Sequence, residues 1–205
     1  AGNAWHEAAA YYQRGYNLSN ASANDDPTLV QLRFDCLLGM ANCQYLTQQY
    51  DAADQSCVLL RQAADQPLPR MQVARLEILL LFARNNFAPA FALAQQVLQP
   101  VGVDISQLDD IPVRYLQLEQ LYDKTRISDL AQQGALTSAE LLMAMEILNT
   151  LLTVAYLVSP LHYLTVSYAL VSLSIQNGHC AASSKAYSTH AMNLSGAFGQ
   201  YKEAL

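Results

Sequence analysis

Charge is scarce in this sequence. Asp, Glu, Lys and Arg together make up 14% of its 205 residues, and only 11 residues are basic. Binding to duplex nucleic acid needs a clustered Lys/Arg surface; here the basic residues are scattered and the net charge is −6, which argues against that partner. Cysteine is also sparse, at four residues (Cys36, Cys43, Cys57 and Cys180), with no CxxC pair, so neither a zinc ribbon nor a redox motif is supported. Cys36 and Cys43 are seven positions apart, about 10 Å along a helix axis, which exceeds the Cα separation a disulfide tolerates. The cysteines therefore read as small apolar residues in helix packing. No DxDxDG calcium loop occurs, and the first residues lack the basic start and apolar core of a signal peptide. Together these absences predict a cytoplasmic protein with no metal and no cofactor.

Gly and Pro number 8 and 7 and sit between stretches with apolar residues at three- and four-residue spacing. Clean strand alternation is absent, so the fold class is all-α. The pattern predicts helices at residues 5–18, 28–47, 51–64, 70–84 and 88–98, a link around 100–112, and further helices at 113–126, 138–158, 160–177 and 180–205. Asp25 or Asp26 before Pro27 makes a helix start. Pro67 and Pro69 mark a break, Thr137 and Glu140 have capping-box spacing, and Asn177-Gly178 is a stop.

Residues 147–184 contain no Asp, Glu, Lys or Arg, which raises the question of a membrane span. Pro160 and His162 lie at the centre, and the apolar stretches on either side fall short of, or barely approach, the roughly 20 residues a span requires. A buried helical hairpin is the expectation, not a membrane-spanning segment.

The helices also repeat. QYDAADQSCVLLRQ (residues 49–62) aligns with NFAPAFALAQQVLQ (residues 86–99). Tyr50 matches Phe87, Ala53 matches Ala90, Cys57 matches Ala94 and Leu60 matches Val97. The offset of 37 residues is close to the roughly 34 of a tetratricopeptide repeat (TPR). An aromatic at the turn is followed three positions later by a small residue where two helices cross closely, and Ala41 takes the small position on the preceding helix. The expected architecture is TPR-like antiparallel hairpins stacked as a short α-solenoid. It forms one domain over residues 1–205, with hairpin repeats at about 28–100, a linker at about 100–112 and further helices at 113–205.

Two stretches, LTSAELLMAMEILNTLLTVAYLVSP (residues 136–160) and VSLSIQNGHCAASSKAY (residues 171–187), resemble the helical region of large bacterial multidomain signalling ATPases. Leu173, Ser174, Ile175 and Gly178 keep that family's Leu-Ser-Leu-x-x-Gly-Asn turn, with His179 in place of Asn. Residues 45–53 and the QPVGV link look like the family's repeat and its following loop. In that family an AAA/STAND-type ATPase precedes TPR-like helices, and GAF or PAS sensors then lead to a histidine kinase or GGDEF output of two-component signalling. The resemblance implies a regulatory piece of a longer chain that binds protein or neighbouring domains. It carries no catalytic motif: there is no GxxxxGK[ST], no H-box and no GGDEF. The segment itself is therefore not expected to be an enzyme. A stand-alone protein-binding scaffold is the alternative, and a helical enzyme with dispersed catalytic residues is a third reading, ranked behind both.

Individual residues carry little chemistry. His179 and His190 are too far apart to share one metal. His162 reads as a core or surface residue, and Ser183-Ser184-Lys185 as a helix surface rather than a nucleophile pair. Arg33, Arg70 and Arg75 alone do not make the carboxylate clamp of chaperone-type repeats. Tyrosine is abundant, at twelve residues against one Trp, and suits a half-wet groove. Tyr12, Tyr16, Tyr163 and Tyr168 are the candidate partner-binding surface, against the plainer reading of inter-helix packing.

Overall fold

A computed structural model describes residues 2–21, 26–106, 111–124, 127–130 and 132–197. Regular structure among the described residues is helical, with no strand beyond one isolated bridge. The chain divides into two compact units, residues 1–86 and 87–205. The division falls inside the second sequence repeat, between its two helices.

The first unit holds α1 (Gly2–Ala21), α2 (Pro27–Leu46), α3 (Tyr50–Ala63) and α4 (Pro67–Ala83). Asp26 caps α2: its carboxylate accepts from the Thr28 amide at 3.0 Å, and Pro27 opens the first turn, where a missing amide costs nothing. Pro67 and Pro69 do not precede α4 as the sequence suggested. They lie in its first turn, where proline is tolerated for the same reason.

Each helix packs on the next, and α2 also touches α4. The core is built from Phe34, Leu37, Met40 and Ala41 of α2, Ala53, Cys57 and Leu60 of α3, and Val73, Leu76 and Leu80 of α4. Ala41, Ala53 and Leu60 are wholly buried. On its other side α2 meets α1 closely. A Cβ on Gly15 would lie 2.8 Å from the Cys36 sulfur, and one on Gly39 would lie 2.6 Å from the Tyr12 ring. Sandwiched between α1 and α3, α2 buries residues on more than one face, which is why its sequence lacks a single apolar stripe.

The turn after α2 and the turn after α4 are the same structure. Gln48 and Asn85 have φ of 61° and 59° and are 37 positions apart. The Gln48 amide donates to the Tyr45 carbonyl (3.0 Å) and the Gln49 amide to Gln44 (2.8 Å); the Asn85 amide donates to Phe82 (3.0 Å) and the Asn86 amide to Leu81 (2.9 Å). Both are Schellman turns, closing the helix with a left-handed residue and satisfying otherwise orphaned carbonyls. Neither turn uses glycine, so the sequence gives little sign of them.

The second unit holds α5 (Phe87–Leu98), a 3-10 turn at Gln99–Val101, α6 (Ile111–Lys124), α7 (Ile127–Leu130), α8 (Ala139–Val158), α9 (Pro160–Asn177) and α10 (Ser183–Ala197). The short α7 had no sequence signal. Ser138, not Thr137, caps α8, accepting from the Leu141 amide at 3.3 Å. Ser159 ends α8 and caps α9, accepting from the Leu161 amide at 3.2 Å. The last helix starts at Ser183 rather than Cys180, and its expected continuation over 198–205 lies outside the described residues.

At the centre of this unit, α9 packs on α6, α8 and α10. The buried face of α8 comprises Ala144, Met145, Ile147, Leu148, Leu151, Leu152 and Ala155. By length and composition α8 is the one described helix that meets the requirement for crossing a membrane, with 39% of its most apolar window buried. The end of α9 is stitched to residues 133–136: Gln133 donates to the Ile175 carbonyl (2.6 Å), the His179 amide to Gly134 (3.0 Å) and the Leu136 amide to His179 (2.8 Å). Gly178 turns the chain there at φ 101° and ψ 175°, a region essentially reserved for glycine. A Cβ at Gly178 would sit 2.6 Å from the Gly134 oxygen.

Candidate functional site

The four candidate tyrosines fall in both units and divide by environment. Tyr12 and Tyr16 lie one turn apart on α1. The Tyr12 ring covers Gly39 while 40% of the residue stays exposed, and Tyr16 packs partly buried against the first unit's core. Tyr163 is half-buried and meets the exposed Tyr156 edge-on, with ring centroids 5.5 Å apart. Tyr168 is 2% exposed, because α6 and α10 both pack on α9, and it forms part of the wall of a cleft in the second unit. Tyr115 and His190 approach its ring at 6.3 and 6.0 Å. Burial pushes the Tyr168 hydroxyl pKa up, with Tyr115 and Glu119 adding to the effect, so this group stays protonated.

Exposed aromatic surface is carried by Trp5 and Tyr11 with Tyr12 on α1, and by Tyr156 at the end of α8; Leu157 and Leu161 are exposed too. The Tyr-rich composition pointed to such a surface but not to its members, since tyrosines at neighbouring positions fall on both covered and open faces.

A cleft of about 310 Å³ opens in the second unit between the loop after the 3-10 turn, the start of α6 and the second half of α9. Gly102, Asp104, Arg114, Gln117, Ser172 and Gln176 give it a mainly polar lining. Asp104 is fixed from behind, its Oδ1 accepting from the Ser106 amide (2.8 Å) and hydroxyl (2.6 Å). Those two bonds, with Arg114 adding a smaller effect, hold its carboxyl below the usual range. Arg114 Nη1 donates to the Asp104 carbonyl at 2.7 Å, while its Nη2 stands 3.6 Å from Asp104 Oδ2. The two charges are therefore neighbours without a close side-chain bond between them. Neither residue stood out in the sequence; the Asp104-x-Ser106 spacing, which supports an Asx-type turn, was the available signal.

The remaining sequence candidates are held by local structure. His179 shares a 2.9 Å hydrogen bond with the Tyr187 hydroxyl. His162 packs against Phe91, with ring centroids 4.7 Å apart and the planes tilted by 60°. Ser183 bonds the Ser174 hydroxyl (2.9 Å) and accepts from the Cys180 amide (3.0 Å), whereas Lys185 reaches Thr153 at 3.3 Å; the Ser-Lys pair is not assembled. Burial pushes the Cys57 thiol up to about 12, which removes the thiolate a reactive cysteine needs. Among the described residues no group of three His, Cys, Asp or Glu side chains could hold a metal ion.

The class defined by these features is an all-helical protein, with a recurring turn type after α2 and α4 and a polar cleft in its second unit. No protein family, curated protein or solved structure matches the chain.

Proposed function

We propose that this chain is a non-catalytic, TPR-like interaction segment of a cytoplasmic bacterial signalling protein, relaying between an ATPase module and a sensor or output module. One observation carries the repeat reading: the same Schellman turn recurs 37 residues apart, after α2 and after α4. Contact between α2 and α4 supports it further, because stacked hairpins bury their faces by packing first helix on first helix. In this reading α8 is the core helix of a hairpin with α9, its buried face packed on α9, α5 and the 3-10 turn, and not a membrane span.

A docking role follows from the aromatic surface of α1. Trp5, Tyr11 and Tyr12 are 43%, 71% and 40% exposed, and exposed aromatics of this kind anchor protein interfaces. The relay part rests on the family resemblance of residues 136–160 and 171–187 alone. Titration of the purified chain, by calorimetry, against the segments encoded on either side of it in its reading frame tests both parts. The expected result is micromolar binding to at least one segment, weakened about tenfold or more by Tyr11→Ala with Trp5→Ala. If neither neighbour binds, the relay fails; a neighbouring sequence without ATPase or sensor motifs would also remove it.

A further inference from the structure

The cleft of the second unit has a lining that the docking role does not use, and its chemistry narrows what would occupy it. Asp104 and Arg114 stand side by side on its wall, and each is anchored by hydrogen bonds at one end of its polar head. Ser106 holds Oδ1 of Asp104, leaving Oδ2, which faces the guanidinium only at 3.6 Å. The Asp104 carbonyl holds Nη1 of Arg114, leaving further N–H groups of the fork. The Asp104 side chain is 46% exposed and that of Arg114 18% exposed, so both are reachable from solvent without being free to swing. Such pre-orientation lowers the ordering cost of binding.

A site holding one carboxylate and one guanidinium is neutral as a whole. An anion alone would be attracted by Arg114 and repelled by Asp104, and a cation alone the reverse. A small molecule carrying both signs close together satisfies the pair. The volume, about 310 Å³, is at the lower end of ligand pockets, which suits a single metabolite and not a peptide or a nucleotide. The rest of the lining supplies amides and a hydroxyl, from Gln117, Ser172 and Gln176, groups that both donate and accept.

We propose that this cleft binds a free α-amino acid with a polar, uncharged side chain. Its carboxylate meets Arg114, its ammonium meets Asp104, and its side chain lies along Gln117, Ser172 and Gln176. The inference is independent of the repeat reading, since all of these residues belong to the second unit. It would give the segment a metabolite input in addition to a docking surface.

The test is calorimetric titration of the full chain with L-glutamine and L-asparagine, with succinate, putrescine and L-leucine as comparisons, alongside amide NMR shifts of Gly102 and of the Gln117 and Gln176 side chains. The expected result is that L-glutamine or L-asparagine binds and moves those signals, while succinate and putrescine do not. Asp104→Asn and Arg114→Ala should each weaken binding roughly 10- to 100-fold, the cost of losing a charge-assisted bond. Ser172→Phe, which fills the cleft from its half-buried position, should abolish binding with helical content retained. Should Arg114→Ala fail to fold, the Asp104→Asn and Ser172→Phe variants decide. The proposal is overturned if neither L-glutamine nor L-asparagine binds at millimolar concentration, if succinate or putrescine binds as well as they do, if L-leucine matches them, or if binding survives Asp104→Asn unchanged.

Discussion

His190 lies on α10 against the Tyr168 ring and is 5% exposed. Burial pulls its pKa down from 6.5 to about 4, with Glu119 acting weakly in the opposite sense. The folded state therefore keeps this imidazole neutral where the unfolded chain would protonate it. Below about pH 6.5 the unfolded state binds more protons, so stability falls as the solution is acidified towards pH 4. The full shift sets an upper bound of about 3 kcal/mol on this loss. Thermal melts of the native chain and of His190→Gln between pH 7 and pH 4 (roughly the window set by the two pKa values) should differ in slope. The variant should lose less stability on acidification, and identical slopes would show that His190 titrates in the folded state as it does in water. Nothing in the local pattern signalled this, because His190 is visible in the sequence only as a histidine spaced from His179. It packs through α10 on α9, against Tyr168, twenty-two positions earlier in the chain, a tertiary packing that local pattern does not encode.

At the scale of helices much more was legible. Three- and four-residue periodicity located the long helices, since each must bury an apolar stripe. Asp26 and Pro160 marked helix starts through chemistry that acts within a turn. The errors were at ends and short pieces: the prolines of α4, the cap of α8, and α7 with its single turn. Matched small residues suggested a repeat, yet the structural feature that supports that reading, a left-handed residue after α2 and after α4, was hidden because Gln48 and Asn85 are not glycine. Small residues at the crossing points have a direct consequence. Ala53 and Ala90 occupy equivalent repeat positions and both are wholly buried. Ala53→Trp and Ala90→Trp should each destabilise by about 1–3 kcal/mol or more through overpacking, read as a lowered denaturant midpoint. An unchanged midpoint would mean that the position is not a close crossing. By contrast Arg61 and Glu77, 3.2 Å apart across α3 and α4, form a partly exposed pair of the kind that adds little.

For the molecule as a whole, the all-helical class followed from composition and periodicity, whereas the division at residues 86 and 87 and the cleft did not. Clefts depend on how loops and helix faces converge: Asp104, Arg114 and Ser172 come from three segments that no local pattern joins. The Tyr-rich groove expected from composition separates into exposed rings on α1 and α8 and buried ones such as Tyr168, because exposure is decided by which helix covers which face. What the account needs above all is that α2–α3 and α4 form part of a stack with repeated turns, not a chance bundle of helices. The direct measurement is solution NMR of the intact chain, reading backbone φ at Gln48 and Asn85 together with cross-relaxation between α2 and α4. The account expects positive φ at both residues and side-chain contacts from α2 to both α3 and α4. Negative φ at either residue, or α4 lying away from α2, would contradict it.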